Sequence, residues 1–215
     1  IKPNFTEAHN NLSTILKEQG KYKEAYDACL KATELNPNYD LAHNNLGIIL
    51  KSLGQLNEAE KSINNAIKIN PHFLEAHLAL GNVLKDLGQS QRAFDSYITA
   101  LKINQNSIET YSYISDFIRT RNPEELDQLK LKYIIDILLN KDEIDHSNLF
   151  EAFNSLYNLG SLNRLEKSDL NSLKFYINDD LLSKALKKII FKDQSWEKLL
   201  TKIRQLFCER IAKNN

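Results

Sequence analysis

Prolines stand 34 residues apart at Pro3, Pro37 and Pro71, and glycines keep the same interval at Gly20, Gly54 and Gly88. The register extends to small and apolar side chains: Ala8/Ala42/Ala76, Leu12/Leu46/Leu80, Ala25/Ala59/Ala93 and Ala32/Ala66/Ala100. A unit this short buries its apolar face only by stacking on the next copy, so the period constrains the fold more than composition does. Within each period apolar residues recur at helical spacing, as in Ala42, Leu46, Ile49, Leu50 and Leu53, then Ala59, Ile63, Ala66 and Ile67. Each unit therefore reads as two helices. Gly54 ends the first, because glycine enters the left-handed region without a Cβ penalty, and Asn70-Pro71 ends the second. The Ala25/Ala59/Ala93 column lets the paired helices approach closely.

The string Ala42-His43-Asn44-Asn45-Leu46-Gly47, followed by Gly54, Ala59, Ala66 and Asn70-Pro71, resembles the tetratricopeptide repeat, a helix-turn-helix unit. Repeats run 6–39, 40–73 and 74–107. The frequent Trp of the family is His9, His43 and His77 here, and Ser13 stands where the later repeats have Gly47 and Gly81. Residues 108–121 continue the first-helix columns with Tyr111, Ile114, Ser115 and Ile118 and are expected to cap the array. The resemblance implies a right-handed α-solenoid over 1–121; persisting helical patterning with short connections leads to the expectation of a small helical bundle over 122–215, so that the whole chain is all-α.

In that second part, Asn122-Pro123-Glu124-Glu125 reads as a helix start, with Leu126, Leu129, Tyr133 and Ile137 lining one face. Further helices are expected over roughly 147–158, 168–177, 180–190 and 194–212, joined by short connections. Degenerate repeats extending the superhelix are the alternative. The stretch Leu181 to Ile211 is similar to linker segments that join tetratricopeptide arrays to methyltransferase or sugar-modifying domains in some bacterial proteins. A chain that begins at Ile1 and has no Met is expected to be a piece of a longer protein.

Catalytic chemistry finds little support. Of six glycines, five occupy repeat columns and Gly160 ends a helix, so no phosphate-binding glycine loop can be assembled. His9, His43 and His77 share a register, but equivalent positions on neighbouring helices lie about 8–10 Å apart, too far to share one zinc ion. Each imidazole is expected to fill the aromatic position and donate one hydrogen bond. Asp142, Glu143, Asp145 and His146 read as caps before a helix. Cys29 and Cys208 form no metal or redox motif and are expected to be reduced and inert. No cofactor, no metal and no enzymatic activity are expected.

The 28 basic and 28 acidic residues balance, and only 181–215 departs, with nine Lys or Arg against three Asp or Glu. Its Lys184, Lys187, Lys188, Lys198, Lys202 and Arg204 alternate with apolar positions as a solvated face does, so a nucleic-acid partner is disfavoured. No apolar run approaches the ~20 residues of a membrane span, and no signal peptide is visible; the expected location is cytoplasmic.

With Leu12/Leu46/Leu80 facing the core, helical spacing of about 100° per residue turns three columns away from it: Asn10/Asn44/Leu78, Thr14/Ile48/Asn82 and Lys17/Lys51/Lys85. Asn11/Asn45/Ala79 lies on the flank. The resemblance implies that first helices line a concave groove. Asparagines there offer a donor and an acceptor to an extended peptide backbone, and Asn11 and Asn45 resemble the asparagine ladder of O-linked N-acetylglucosamine transferases, with Asn82 substituting beyond Ala79. The lysines are expected to favour acidic side chains. The carboxylate clamp of chaperone cochaperones needs a lysine at the Asn10 column and basic residues in repeat three; neither is present. The expected function is a protein-interaction module that binds a peptide or partner segment, with self-association left open. The alternative is the non-catalytic recognition arm of a larger methyltransferase or glycosyltransferase whose catalytic domain lies beyond Asn215.

Overall fold

The structure is a computed structural model that describes residues 3–156, 180–181 and 184–185. Helices come in pairs at the expected interval: α1 (Pro3–Glu18) with α2 (Tyr22–Leu35), α3 (Asp40–Ser52) with α4 (Leu56–Ile69), and α5 (Leu74–Asp86) with α6 (Ser90–Ile103). Each first helix packs on its own second helix, α1 also packs on α3 and α3 on α5, and each of α2 and α4 packs on the first helix that follows it. The result is an α-solenoid. α7 (Ile108–Thr120) follows, and the chain divides into two compact units, Ile1–Ile114 and Ser115–Asn215.

The turn inside each repeat has a full backbone account. Gly54 sits at φ 78°, its N–H bonds Lys51 O at 3.0 Å, and the Gln55 N–H reaches back to Leu50 O at 2.9 Å, so the last carbonyls of α3 are capped. Gly20 and Gly88 repeat the arrangement at φ 75° and 73°. Between repeats, the His43 ring pairs through Nε2 with Pro37 O at 2.8 Å, and His77 with Pro71 O at 2.9 Å, so each imidazole fastens a first helix to the loop that enters it.

Helix pairs are fitted by complementary volumes. A Cβ on Gly81 would overlap the Tyr97 ring, and one on Gly47 would overlap Ile63. In repeat one the same two columns hold Ser13 and Cys29, so a larger residue on one helix faces a smaller one on the other. Ser13 is fully buried and donates its Oγ proton to Asn10 O at 2.6 Å.

In the second unit, Asn122 caps as expected, its side chain accepting from Glu124 N at 3.1 Å. The helix it starts is only the 3-10 turn Pro123–Glu125. α8 (Gln128–Leu139) begins afresh because the Asp127 carboxylate accepts from both Leu129 N and Lys130 N at 3.0 Å. α8 packs on residues 146–156. Leu131, Ile134, Ile135, Leu138 and Leu139 are buried, whereas Leu129 is 82% exposed and Tyr133 is exposed, which corrects the expected stripe. Leu126, on the far side of the new cap, is buried but no longer sets the helical phase.

The expected helix over 147–158 appears as a 3-10 turn, His146–Leu149, leading into α9 (Phe150–Leu156). Asp145 caps it, accepting from Ser147 N at 3.0 Å. Residues 180–181 and 184–185 are helical, and Lys184 Nζ lies 2.8 Å from carboxylate oxygens of both Asp136 and Asp180, which hold its ammonium above the usual lysine range. The expected helices over 168–177 and 194–212, and the rest of the basic tail, lie outside the described residues. Among the described residues no helix is long and apolar enough to cross a membrane.

Candidate functional site

The first helices do not present their polar columns as the helical wheel implies. Asn10 and Asn44 are each only 5% exposed and Leu78 is 4% exposed, so this column is buried rather than turned outward. The cause is packing of each first helix on the next one, α1 on α3 and α3 on α5, which a wheel drawn for a single helix leaves out. Asn45 closes over Asn10: its Nδ2 donates to Asn10 Oδ1 at 2.8 Å and lies 3.5 Å from Thr14 Oγ1. Asn44 Oδ1 is buried without a hydrogen-bond partner. Asn11 is exposed on α1, and Lys17 and Lys85 are half-buried.

Four of the expected residues do come together. Ile48, Lys51, Leu78 and Asn82 line one pocket of about 370 Å³, with Ser52, Ile63, Glu75, Ala79, Val83, Glu109 and Tyr113 completing its wall. The pocket opens among α3, α5 and α7, on the first-helix side of the array. Its apolar part is held in place from below. The Tyr97 hydroxyl donates to Asn82 Oδ1 at 2.8 Å, and the Tyr97 ring stacks on Tyr113 with centroids 6.3 Å apart and planes 12° apart. Gly81 is what lets Tyr97 lie against α5, so a backbone position far from solvent sets the shape of the pocket floor.

Lys51 Nζ lies 2.8 Å from Asp86 Oδ2, so this lysine already has its counter-ion. Asn45 spends its amide protons on the neighbouring repeat. The groups that sequence reasoning missed are Glu75, Glu109 and Tyr113. Their signal was present: Glu75 and Glu109 are 34 apart, one more column of the same period, and following the columns past 107 leads to Glu109 and Tyr113.

Cys29 is fully buried and its Sγ donates to Ala42 O at 3.2 Å. Burial pushes its thiol up to about 11, against smaller opposing effects of the Ser13 hydrogen bond and the Lys17 charge. It is neutral and sequestered, unlike a nucleophile. Among the described residues no group of three or more His, Cys, Asp or Glu side chains could hold a metal ion.

Three family models match the chain: two described as tetratricopeptide repeat, over residues 41–73 and 74–107, and one described as TPR repeat, over 14–54. No curated protein matches the sequence. Similar solved structures include the first TPR of Spaghetti (RPAP3) bound to the HSP90 peptide SRMEEVD, 20% identical with a TM-score of 0.52, covering 54% of this chain and 93% of that one. The second TPR domain of human RPAP3, in complex with the HSP70 peptide SGPTIEEVD, is 18% identical with a TM-score of 0.50, covering 54% and 97%. The Sgt2 TPR domain from Aspergillus fumigatus is 17% identical with a TM-score of 0.51, covering 53% and 77%. At these identities the likeness is one of fold.

Proposed function

Residues 14–107 belong to the tetratricopeptide-repeat family, and from that premise we propose that the array is a non-catalytic interaction module whose first-helix groove takes an extended segment of a partner protein. The observation that carries this reading is the pocket among α3, α5 and α7, whose size and mostly apolar lining suit one or two side chains of a ligand. The two asparagines beside it support backbone recognition. Asn45 uses its amide protons internally and keeps a carbonyl oxygen, while Asn82 uses its oxygen on Tyr97 and keeps its amide protons. One acceptor and one donor on neighbouring first helices match the alternating N–H and C=O of an extended chain. Neighbouring helices lie about 10 Å apart, roughly three extended residues at ~3.3 Å each.

An immobilised-peptide screen with the whole chain, followed by titration of the best binder, tests this. Asn82→Ala is expected to weaken binding by about 1–3 kcal/mol, because a peptide carbonyl loses its partner at a desolvated contact. Ile48→Asp places a charge in the pocket and weakens it further. Lys61→Glu, exposed on the second-helix side, changes nothing. Binding that survives Ile48→Asp with the helical spectrum intact removes the groove from consideration.

A further inference from the structure

Two carboxylates overlook the pocket. Glu75 and Glu109 stand in the first turns of α5 and α7, in one column of the repeat, and both are exposed. Both belong to the pocket wall, and neither takes part in an ion pair or a side-chain hydrogen bond among the described residues. The lysine in the same wall is matched by Asp86. The rim is therefore acidic over a floor of Ile48, Leu78 and Tyr113. A first-turn glutamate also complements the helix dipole, but that interaction leaves most of its charge available to a ligand.

We propose that this pocket selects a partner segment in which a Lys or Arg adjoins an aliphatic side chain. The proposal rests on the reading that the groove takes a peptide, and it names the chemistry of that peptide. The aliphatic group lies on the apolar floor. The cation extends along the wall to Glu75 and Glu109, whose helices stand about 8–10 Å apart, a gap within reach of one long, flexible basic side chain whose stem packs on apolar surface. The sign is opposite to the one the lysine column suggests from sequence, because Lys51 is spent on Asp86 and the column that stays unneutralised is the glutamate one.

Three short synthetic peptides that differ only in a central pair, Leu-Lys, Leu-Gln or Leu-Glu, test the proposal by fluorescence anisotropy against the whole chain. Leu-Lys is expected to bind about fivefold more tightly than Leu-Gln at about 50 mM salt, as two exposed ion pairs allow, with Leu-Glu weakest. The gap shrinks at about 500 mM salt, since exposed charges are screened. In the Glu75→Gln, Glu109→Gln double variant the three peptides bind alike, at the affinity wild type shows for Leu-Gln. A wild type that binds Leu-Glu as well as Leu-Lys, or a Leu-Lys preference that survives the double variant, overturns the proposal. If Ile48→Asp still weakens all three peptides, the groove reading stands without it; if Ile48→Asp weakens none, both fall.

Discussion

Repeat one and repeats two and three carry the same apolar columns and bury them differently. Leu12 is 45% exposed, while its equivalents Leu46 and Leu80 are 8% and 9% exposed. Phe5, Ala8 and Ile15 are exposed as well, whereas Ala42, Ile49, Ala76 and Val83 are fully buried. The cover over α3 and α5 is the second helix of the preceding repeat, α2 and α4 respectively, and α1 has no such helix over it among the described residues. Burial in a solenoid is thus a property of the stack rather than of the residue. The expectation that the Leu12 column faces a core holds for two members and is corrected for the first.

The largest test of that contrast is truncation. Leu80→Ala is expected to cost about 2–4 kcal/mol in denaturant unfolding, from lost transfer energy and a cavity that the close-packed α4 cannot fill. Leu12→Ala is expected to cost less than about 1 kcal/mol, because nearly half of its surface already meets water. Equal costs would mean that the exposed strip of α1 is covered in solution.

Alkaline pH sharpens the comparison at the column Cys29/Ile63/Tyr97, where repeat one carries a deeply buried thiol. A thiol that ionises near 9.0 unfolded and at about 11 folded makes no difference to stability below the first value. As pH rises above it, the unfolded state loses its proton first, so stability falls until the folded thiol also ionises. Between those limits wild type is expected to lose about 2–3 kcal/mol more than Cys29→Ala, measured as the difference between their denaturation curves. Parallel curves would mean that Cys29 reaches solvent.

The smallest effects belong to the column Asn10/Asn44/Leu78. Asn45→Ala leaves the buried Asn10 oxygen without its donor and is expected to cost about 1 kcal/mol of stability. Asn44→Leu copies repeat three and removes a buried unpartnered oxygen, so it is expected to be neutral or to stabilise by up to about 1 kcal/mol, read as a small rise in Tm. A large loss in Asn44→Leu would show that this amide has a partner in solution.

The repeat itself was readable in the sequence because its determinants are local. A left-handed glycine, a proline that stops a helix and a column of alanines act through their immediate neighbours, and Gly20, Gly54 and Gly88 do at each turn what their residue type requires. The same holds for Asn122 and Asp145, whose caps follow from the residues next to them. What depends on a second helix was not readable. The 34-residue register shows that Asn10 and Asn44 are equivalent, but their burial arises where α1 meets α3 and α3 meets α5, and those contacts have no period in either helix alone. In α8 the pattern offered apolar residues on more than one face, and which face turned inward depends on packing against α9 and the turn before it. Lys51 looked like a free cation until Asp86, in the next repeat, came within 2.8 Å of it. The acidic pocket exists only because stacking brings the first turns of α5 and α7 beside one floor. Backbone conformation is set within a few residues, whereas burial and net local charge are sums over neighbours that only the folded stack supplies.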